Sequence, residues 1–239
     1  MPPALVLAAG RSTRIAPVAN GVPKPLLDVG GRTPLEWNLS WLAGEGVRDV
    51  WINLHHEADR FRAAIGDGAA YDIRVRYSFE PVLLGTAGAW RALADRWSET
   101  SLVIYGDNIM RFDLGGLLET HRRSGCVATM AVFDPELHAH TGSGGGRARV
   151  HAGRVVAFDE RGGEADLPVN AGAYALEPGA VEAIGAGFRD FGHDVMPRLA
   201  AAGALAAHTL EGSGFCLGVD TPARYAEAMR LVAAGEVAP

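Results

Sequence analysis

A chain of 239 residues with 22 Lys and Arg against 28 Asp and Glu carries a net charge of −6. That is a poor balance for a general nucleic-acid binder, which needs surplus basic charge to displace counterions. With 48% hydrophobic residues it can bury a sizeable core. Its two cysteines, Cys126 and Cys216, form no C-x-x-C pair and no zinc-like spacing, and are expected to be reduced and buried.

The chain opens on an apolar run, Ala4–Leu7, without a basic leader and far short of a membrane span. It reads as a strand buried on both faces, in a cytosolic protein with no membrane partner. Residues 33–45 carry Leu35, Leu39 and Leu42 at helical spacing, and Asp49–Leu54 reads as a strand. A helix is expected over 57–65, with Ala58, Phe61 and Ile65 on one face, then a strand over 73–79 and a helix over 87–96. Residues 102–105 form a further buried strand ending at Gly106-Asp107-Asn108. A helix over Leu114–Ser124 and a strand over 127–133 follow. This alternation predicts an α/β fold, a Rossmann-like, mostly parallel mixed sheet flanked by helices and joined by right-handed crossovers. Ligands of such sheets bind beyond the carboxyl ends of the strands.

The texture changes near residue 141, where Thr141-Gly142-Ser143-Gly144-Gly145-Gly146 reads as a flexible stretch. A hairpin of 149–150 and 154–158 about Ala152-Gly153 is expected, then a strand over 170–176 and helices over 194–202 and 221–234. No repeat or linker divides the chain. One domain over 1–239 is expected, in which 136–239 extends the sheet of 1–135 and covers one side of a cleft.

Two loops at strand ends carry chemistry. After the first strand come Ala8-Ala9-Gly10-Arg11-Ser12-Thr13-Arg14. Small residues let backbone N–H groups approach phosphate oxygens, and Arg forks and hydroxyls add donors. Ten residues on, Pro23-Lys24-Pro25 frames one lysine between two conformationally fixed residues, which suits neutralising a transferring phosphoryl group. Asp107, after a buried strand and a glycine, can offer hard oxygens to Mg²⁺. Read alone, the first loop equally suits a polar surface turn, and Asp107 a helix cap.

Taken together, Leu7 to Arg14, Pro17 and Pro23-Lys24-Pro25-Leu26-Leu27 resemble the signature of the sugar-1-phosphate nucleotidyltransferases. That family reads roughly L-A-G-G-x-G-T-R-x-x-P and then P-K-P. Asn53-Leu54-His55-His56, Leu84 to Ala89, Tyr105-Gly106-Asp107-Asn108, Asn170-Ala171-Gly172, Phe191 to Pro197 and Asp220-Thr221-Pro222 resemble it too, in order and spacing. Within the family, the chain resembles the short members acting on mannose-, heptose- or muramic-acid-type 1-phosphates. The resemblance implies a nucleotide-diphospho-sugar transferase fold without a β-helical domain, with 1–135 as nucleotide-binding core and 136–239 as sugar-phosphate-binding extension.

It also implies roles. Arg14, Lys24 and Asp107 would be catalytic, Lys24 on the α-phosphate and Arg11 on the β- and γ-phosphates. Ala8, Ala9, Gly10, Arg11, Ser12, Thr13, Glu80, Gly85 and Thr86 would hold the nucleotide. Asn108, Glu160, Arg161, Asn170 and Gly172 would hold the sugar phosphate. Arg161 stands where relatives carry Lys, and Gly162 where they carry Pro. Asp107 and Asp220 would bind Mg²⁺, although Gly218-Val219-Asp220 exchanges the Gly and Asp of the commoner D-[IV]-G-T-P. As an N-cap, Asp220 would instead begin the last helix. Adjacent strand residues face opposite ways, so His55 and His56 read as structural. The expected reaction joins an NTP, with GTP favoured, to a sugar or cyclitol 1-phosphate and releases pyrophosphate. The acceptor phosphate is already ionised near neutral pH, so no general base is required. The partners are those two substrates, with no nucleic acid and room for a homo-oligomer. Two alternatives stay open: a non-catalytic nucleotide-binding regulatory relative, and a cytidylyltransferase using another phosphate acceptor. A glycosyltransferase would need a D-x-D motif that Gly106-Asp107-Asn108-Ile109 does not supply.

Overall fold

In the computed structural model, which describes residues 1–10, 12–142 and 145–238, β1 (Ala4–Leu7) is buried along its whole length. Parallel neighbours pair with it on both sides: β2 (Asp49–Leu54) matches Leu7 to Asn53, and β4 (Ser101–Tyr105) matches Leu7 to Tyr105. Between β1 and β2 lie a short turn of helix, α1 (Ala16–Ala19), and α2 (Pro34–Gly44). A reciprocal capping box starts α2: Thr33 Oγ1 accepts from Glu36 N at 3.2 Å, while Glu36 Oε2 accepts from Thr33 N at 2.7 Å. Helix α3 (Ala58–Ile65) leads to edge strand β3 (Arg74–Phe79), and α4 (Gly85–Ala92) leads to β4. The sheet therefore runs β3-β2-β1-β4 and reverses direction of growth between β1 and β4. The segments leaving these two strands, 8–10 and 106–107, meet where an open α/β sheet forms its crevice.

Past β4, the short β5 (Asn108–Arg111) turns off the main sheet; α5 (Leu114–Ser124) then delivers β6 (Ala128–Phe133). Two-residue β7 (Ala139–His140) precedes the hairpin of β8 (Arg147–His151) and β9 (Arg154–Asp159). Its turn residues Ala152 and Gly153 both hold positive φ, 48° and 75°, matching the twist of paired strands. Strand β10 (Val169–Leu176) then enters antiparallel between β4 and β6. Helix α6 (Met196–Ala201), β11 (Leu205–Thr209), β12 (Phe215–Gly218) and α7 (Pro222–Ala233) complete the chain. Among the described residues the main sheet has nine strands, ordered β3-β2-β1-β4-β10-β6-β11-β9-β8, and a small sheet is ordered β5-β12-β7.

The sheet is buried on both faces. Leu35, Leu39 and Leu42 of α2, Phe61 and Ile65 of α3, and Leu114, Leu117 and Leu118 of α5 cover one. Ala87, Ala89 and Trp90 of α4 and Met196 and Leu199 of α6 cover the other. The expected α/β architecture of a helix-flanked mixed sheet is what these residues form, and the strands over Ala4–Leu7 and Asp49–Leu54 and the helix over Leu114–Ser124 fall where the sequence predicts them. Helix 87–96 instead begins at Gly85 and gives way to a 3₁₀ turn over Ala94–Arg96, and the helix expected from 194 is preceded by a π-helical turn over Phe191–Val195. Both cysteines are buried and free. No described helix is long and apolar enough to cross a membrane.

Candidate active site

Two adjoining chambers open at the carboxyl end of β1 and β4. Leu7 to Gly10, Ser12, Lys24, Pro25, Asn53, Glu80, Leu83, Gly85, Thr86, Phe188 and Asp190 line the first. Arg14, Asn108, Glu160, Asn170, Gly172, His193, Cys216, Asp220 and Arg224 line much of the second. Tyr105 and Asp107 line both.

Asp107 is fixed there by its neighbours. A Cβ on Gly106 would come within 2.7 Å of Leu7 O, so only glycine lets β4 end this close to β1. Asn38 of α2, fully buried, donates from Nδ2 to Asn108 O at 2.7 Å and so holds the turn that carries Asp107. The small sheet brings the second carboxylate: Gly218 pairs with Asn108, and Val219 N donates to Asp107 O at 3.3 Å. Asp107 and Asp220 thus come from neighbouring backbones although 113 positions separate them (220 − 107).

Each carboxylate meets a cation. Lys24, buried on its 3₁₀ turn between the two prolines, bonds Asp107 through Nζ. Asp220 receives Arg14 Nη2 at 2.9 Å and Arg224 Nη1 at 2.8 Å. Burial alone would raise the Asp220 pKa. The hydrogen bond and charge of Arg224, with the charges of Arg14 and Lys24, outweigh it and hold the carboxyl below its usual range. Thr221, and not Asp220, caps α7: its side chain accepts from Arg224 N at 3.3 Å. Among the described residues no cluster of three or more His, Cys, Asp or Glu could hold a metal.

The first chamber is braced from within. Asn53 Oδ1 accepts from Ala8 N at 2.7 Å, and its Nδ2 donates to Glu80 Oε1 at 2.7 Å. Glu80 Oε2 accepts from Leu84 N at 2.9 Å. A relay thus joins the loop after β1 to the start of α4, and both Glu80 oxygens, expected on a ligand, are engaged by the protein. Ser12, in a left-handed conformation at φ 54°, accepts from Lys24 N at 2.9 Å and couples the loop to the framed lysine. Thr86 Oγ1 donates to Asp190 at 2.9 Å and accepts from Phe191 N at 2.7 Å, which docks the chain's second half onto α4. His55 is bonded to Glu80 O at 2.7 Å through Nδ1, and His56 Nε2 lies 3.5 Å from Glu57 Oε1.

In the second chamber Glu160 Oε2 is buried and has no hydrogen-bond partner among the described residues. It lies between the backbones of Gly146 and Gly192, where a Cβ on either would strike it. Burial first, then the charge of Asp190, pushes the Glu160 carboxyl up to about 7. Burial and the nearby Asp107 push the Cys216 thiol up to about 12, which leaves it un-ionised and inert.

Most sequence-predicted residues meet here, with four departures. Arg14 turns away from the rest of its loop into the second chamber. Thr13 begins a 3₁₀ turn and lines neither chamber. Arg161 sits exposed in the turn after β9, its N–H donating to Asp159 Oδ1 at 2.9 Å, and also lines neither. Arg11 lies outside the described residues. The sequence reading missed Asn38, Arg224 and Phe188. An asparagine on the buried face of α2 and a basic residue in the first turn of α7 were the available signals.

A helix-flanked sheet with a two-chambered, ion-paired crevice at its switch point has the architecture of an open α/β ligand-binding protein. A family model described as "Nucleotidyl transferase" matches residues 3–227, and the chain belongs to that family. It is 27% identical to a UTP–glucose-1-phosphate uridylyltransferase of Synechocystis over 84% of this chain and 55% of that one. It is 31% identical to a mannose-1-phosphate guanylyltransferase of Mycobacterium tuberculosis over 76% of this chain and 50% of that one. The chain spans about half the length of these curated relatives. The fold matches HddC of Yersinia pseudotuberculosis, solved with GMP-PN, at a TM-score of 0.82 and 21% identity over 97% of this chain and 100% of that one.

Proposed function

We propose that this protein transfers a nucleoside monophosphate from an NTP to a sugar or cyclitol 1-phosphate and releases pyrophosphate. The carrying observation is Asp107, ion-paired with Lys24 at the border of two chambers, one suited to each substrate. The resemblance to curated sugar-1-phosphate nucleotidyltransferases supports the reaction class.

In this reading an ionised acceptor-phosphate oxygen attacks the α-phosphorus, a P–O bond forms, and the bond to the β-phosphate oxygen breaks. Catalysis is then a matter of position and charge. Ala8, Ala9, Gly10 and Ser12 cradle the phosphates, and Lys24 lies against the α-phosphate. Gly85 and Thr86 bound the base, with Glu80 holding their loop from behind. Asn108, Glu160, Asn170 and Gly172 surround the acceptor. Asp107 and Asp220 fit Mg²⁺, which binds through one or two carboxylates with phosphates and water. When bound, Mg²⁺ offsets the charge gathering on the phosphates. Lys24 and Arg14, which ion-pair with those carboxylates, would supply positive charge beside the phosphate oxygens.

The relatives' names carry different nucleotides. GTP is our first donor, supported by the guanylyltransferase likeness over 76% of this chain. An NTP donor sets the reaction in the cytosol. The test is pyrophosphate release with each NTP, Mg²⁺ and a panel of sugar and cyclitol 1-phosphates. Release with at least one pair, dependent on Mg²⁺, is expected. Nucleotide binding without release under any pairing would point to the regulatory alternative instead.

A further inference from the structure

We propose that Arg224 is the anchor for the acceptor's phosphate, the role that the sequence pattern gives to Arg161. The proposal rests on the transferase reading above.

A sugar 1-phosphate needs a fixed cation at one end of its chamber and hydroxyl partners at the other. In this geometry Arg161 is not placed as that cation: it lies exposed in a surface turn and lines neither chamber. Arg224 does line the second chamber, and its side chain is only 22% exposed. One guanidinium N–H group, on Nη1, donates to Asp220. Arginine has five such donors in a planar fork, so several remain for phosphate oxygens. Space is kept beside the fork: a Cβ on Gly142 would lie 3.4 Å from Nε. Asp220, which would otherwise repel phosphate, is neutralised by Arg14 and Arg224 together.

Two observations set this arginine apart from an ordinary helix residue. It occupies the first turn of α7, which holds no acidic residue, and a cation there opposes the helix dipole. Its ion pair with Asp220 offsets that local penalty, which joins the arginine and the carboxylate into one charged unit in the chamber wall. Independently, the same chamber contains the buried, unpartnered Oε2 of Glu160. A chamber with a fork of donors in one wall and an unsatisfied acceptor in another matches a ligand bearing both phosphate and hydroxyls.

Arg224→Gln and Arg161→Gln are the variants to compare, each checked for folding by its melting curve. Titration calorimetry with inorganic phosphate on the full chain reads the anchor without turnover. Steady-state pyrophosphate release, with mannose 1-phosphate or glucose 1-phosphate, reads KM for acceptor and NTP separately. Losing a charge-assisted contact predicts an acceptor KM raised about 10- to 100-fold and a similar loss of phosphate affinity in Arg224→Gln. The NTP KM should move less than about threefold, and Arg224→Lys should recover part of the loss, as a point charge without the fork. Arg161→Gln should shift acceptor KM and phosphate affinity less than about twofold. The proposal is overturned if Arg161→Gln takes the larger effect. It is also overturned if Arg224→Gln lowers kcat with acceptor KM unchanged and Asp220→Asn does the same, since Arg224 would then only position Asp220. If the wild type binds phosphate but turns over no sugar 1-phosphate, the reaction class fails, and the calorimetric comparison still decides between the two arginines.

Discussion

The two chambers are built on opposite plans. In the first, polar groups satisfy one another: Ala8 with Asn53, Asn53 with Glu80, Glu80 with Leu84, and Ser12 with Lys24. Its mouth is partly apolar, with Leu83 in the lining and Phe188 59% exposed. In the second, charges are held by counter-charges, and one carboxylate oxygen has no protein partner. A pocket that is complete without its ligand can select by shape. A pocket with open valences is completed only when a ligand supplies them, so its selectivity follows charge and hydroxyl position.

Asp107 belongs to both chambers, so Asp107→Ala should have the largest effect. We expect turnover to fall at least about 1000-fold with the fold intact, as when a principal charge-stabilising group is removed. Pyrophosphate release and a melting curve check this, and near-normal turnover would remove Asp107 from the chemistry. Next, Asn53→Leu should leave the Ala8 amide and a Glu80 oxygen buried and unpaired, at about 1–3 kcal/mol each. For a chain of this size that lowers Tm by roughly 4–24 °C. An unmoved Tm would mean that the first chamber is not internally braced.

Phe188→Ala should weaken NTP binding about 5- to 10-fold through lost stacking and leave acceptor KM nearly unchanged. Equal losses for both substrates would break the division of labour. The smallest effect concerns Glu160, whose folded pKa is raised from 4.5 to about 7. Between these values the folded state binds more protons than the unfolded one, so this group's contribution falls as pH rises through that window. Glu160→Gln should therefore raise Tm by about 2–4 °C at pH 8, and not at pH 5. Melting curves at both pH values decide it, and a gain at pH 5 of the same size would assign the effect to packing.

Local pattern made the first half of the fold readable, because parallel strands buried on both faces leave continuous apolar runs such as Ala4–Leu7. Four strands, β5, β7, β11 and β12, escaped prediction. Phe215–Gly218 ends in a glycine, which weakens a strand pattern, and Leu205–Thr209 is rich in alanine, which favours helix as readily as strand. The insertion of β10 between β4 and β6 depends on partners far away in sequence, which no local window contains. At the site, the sequence singled out Ala8 to Gly10, Ser12, Lys24 and Asp107 because unusual residues stand together there, and these residues line the first chamber. The exposed position of Arg161 was not legible because a motif gives residue type and order but not the direction of a turn; here the Arg161 N–H bonds Asp159 Oδ1 in the turn after β9. Glu80 was recognised as part of the first chamber, while its engagement by Asn53 depended on a contact 27 residues away.

The late entry of β10 has a consequence for how the chain is made. As it leaves the ribosome, β4 and β6 are complete long before residues 169–176 arrive to join them. Until then each presents an apolar strand with an open edge, the kind that recruits wrong partners. A truncated product ending near residue 135 would keep those edges indefinitely, so the first half is not expected to persist as a well-behaved fragment. The newborn protein depends on its own second half as its earliest chaperone.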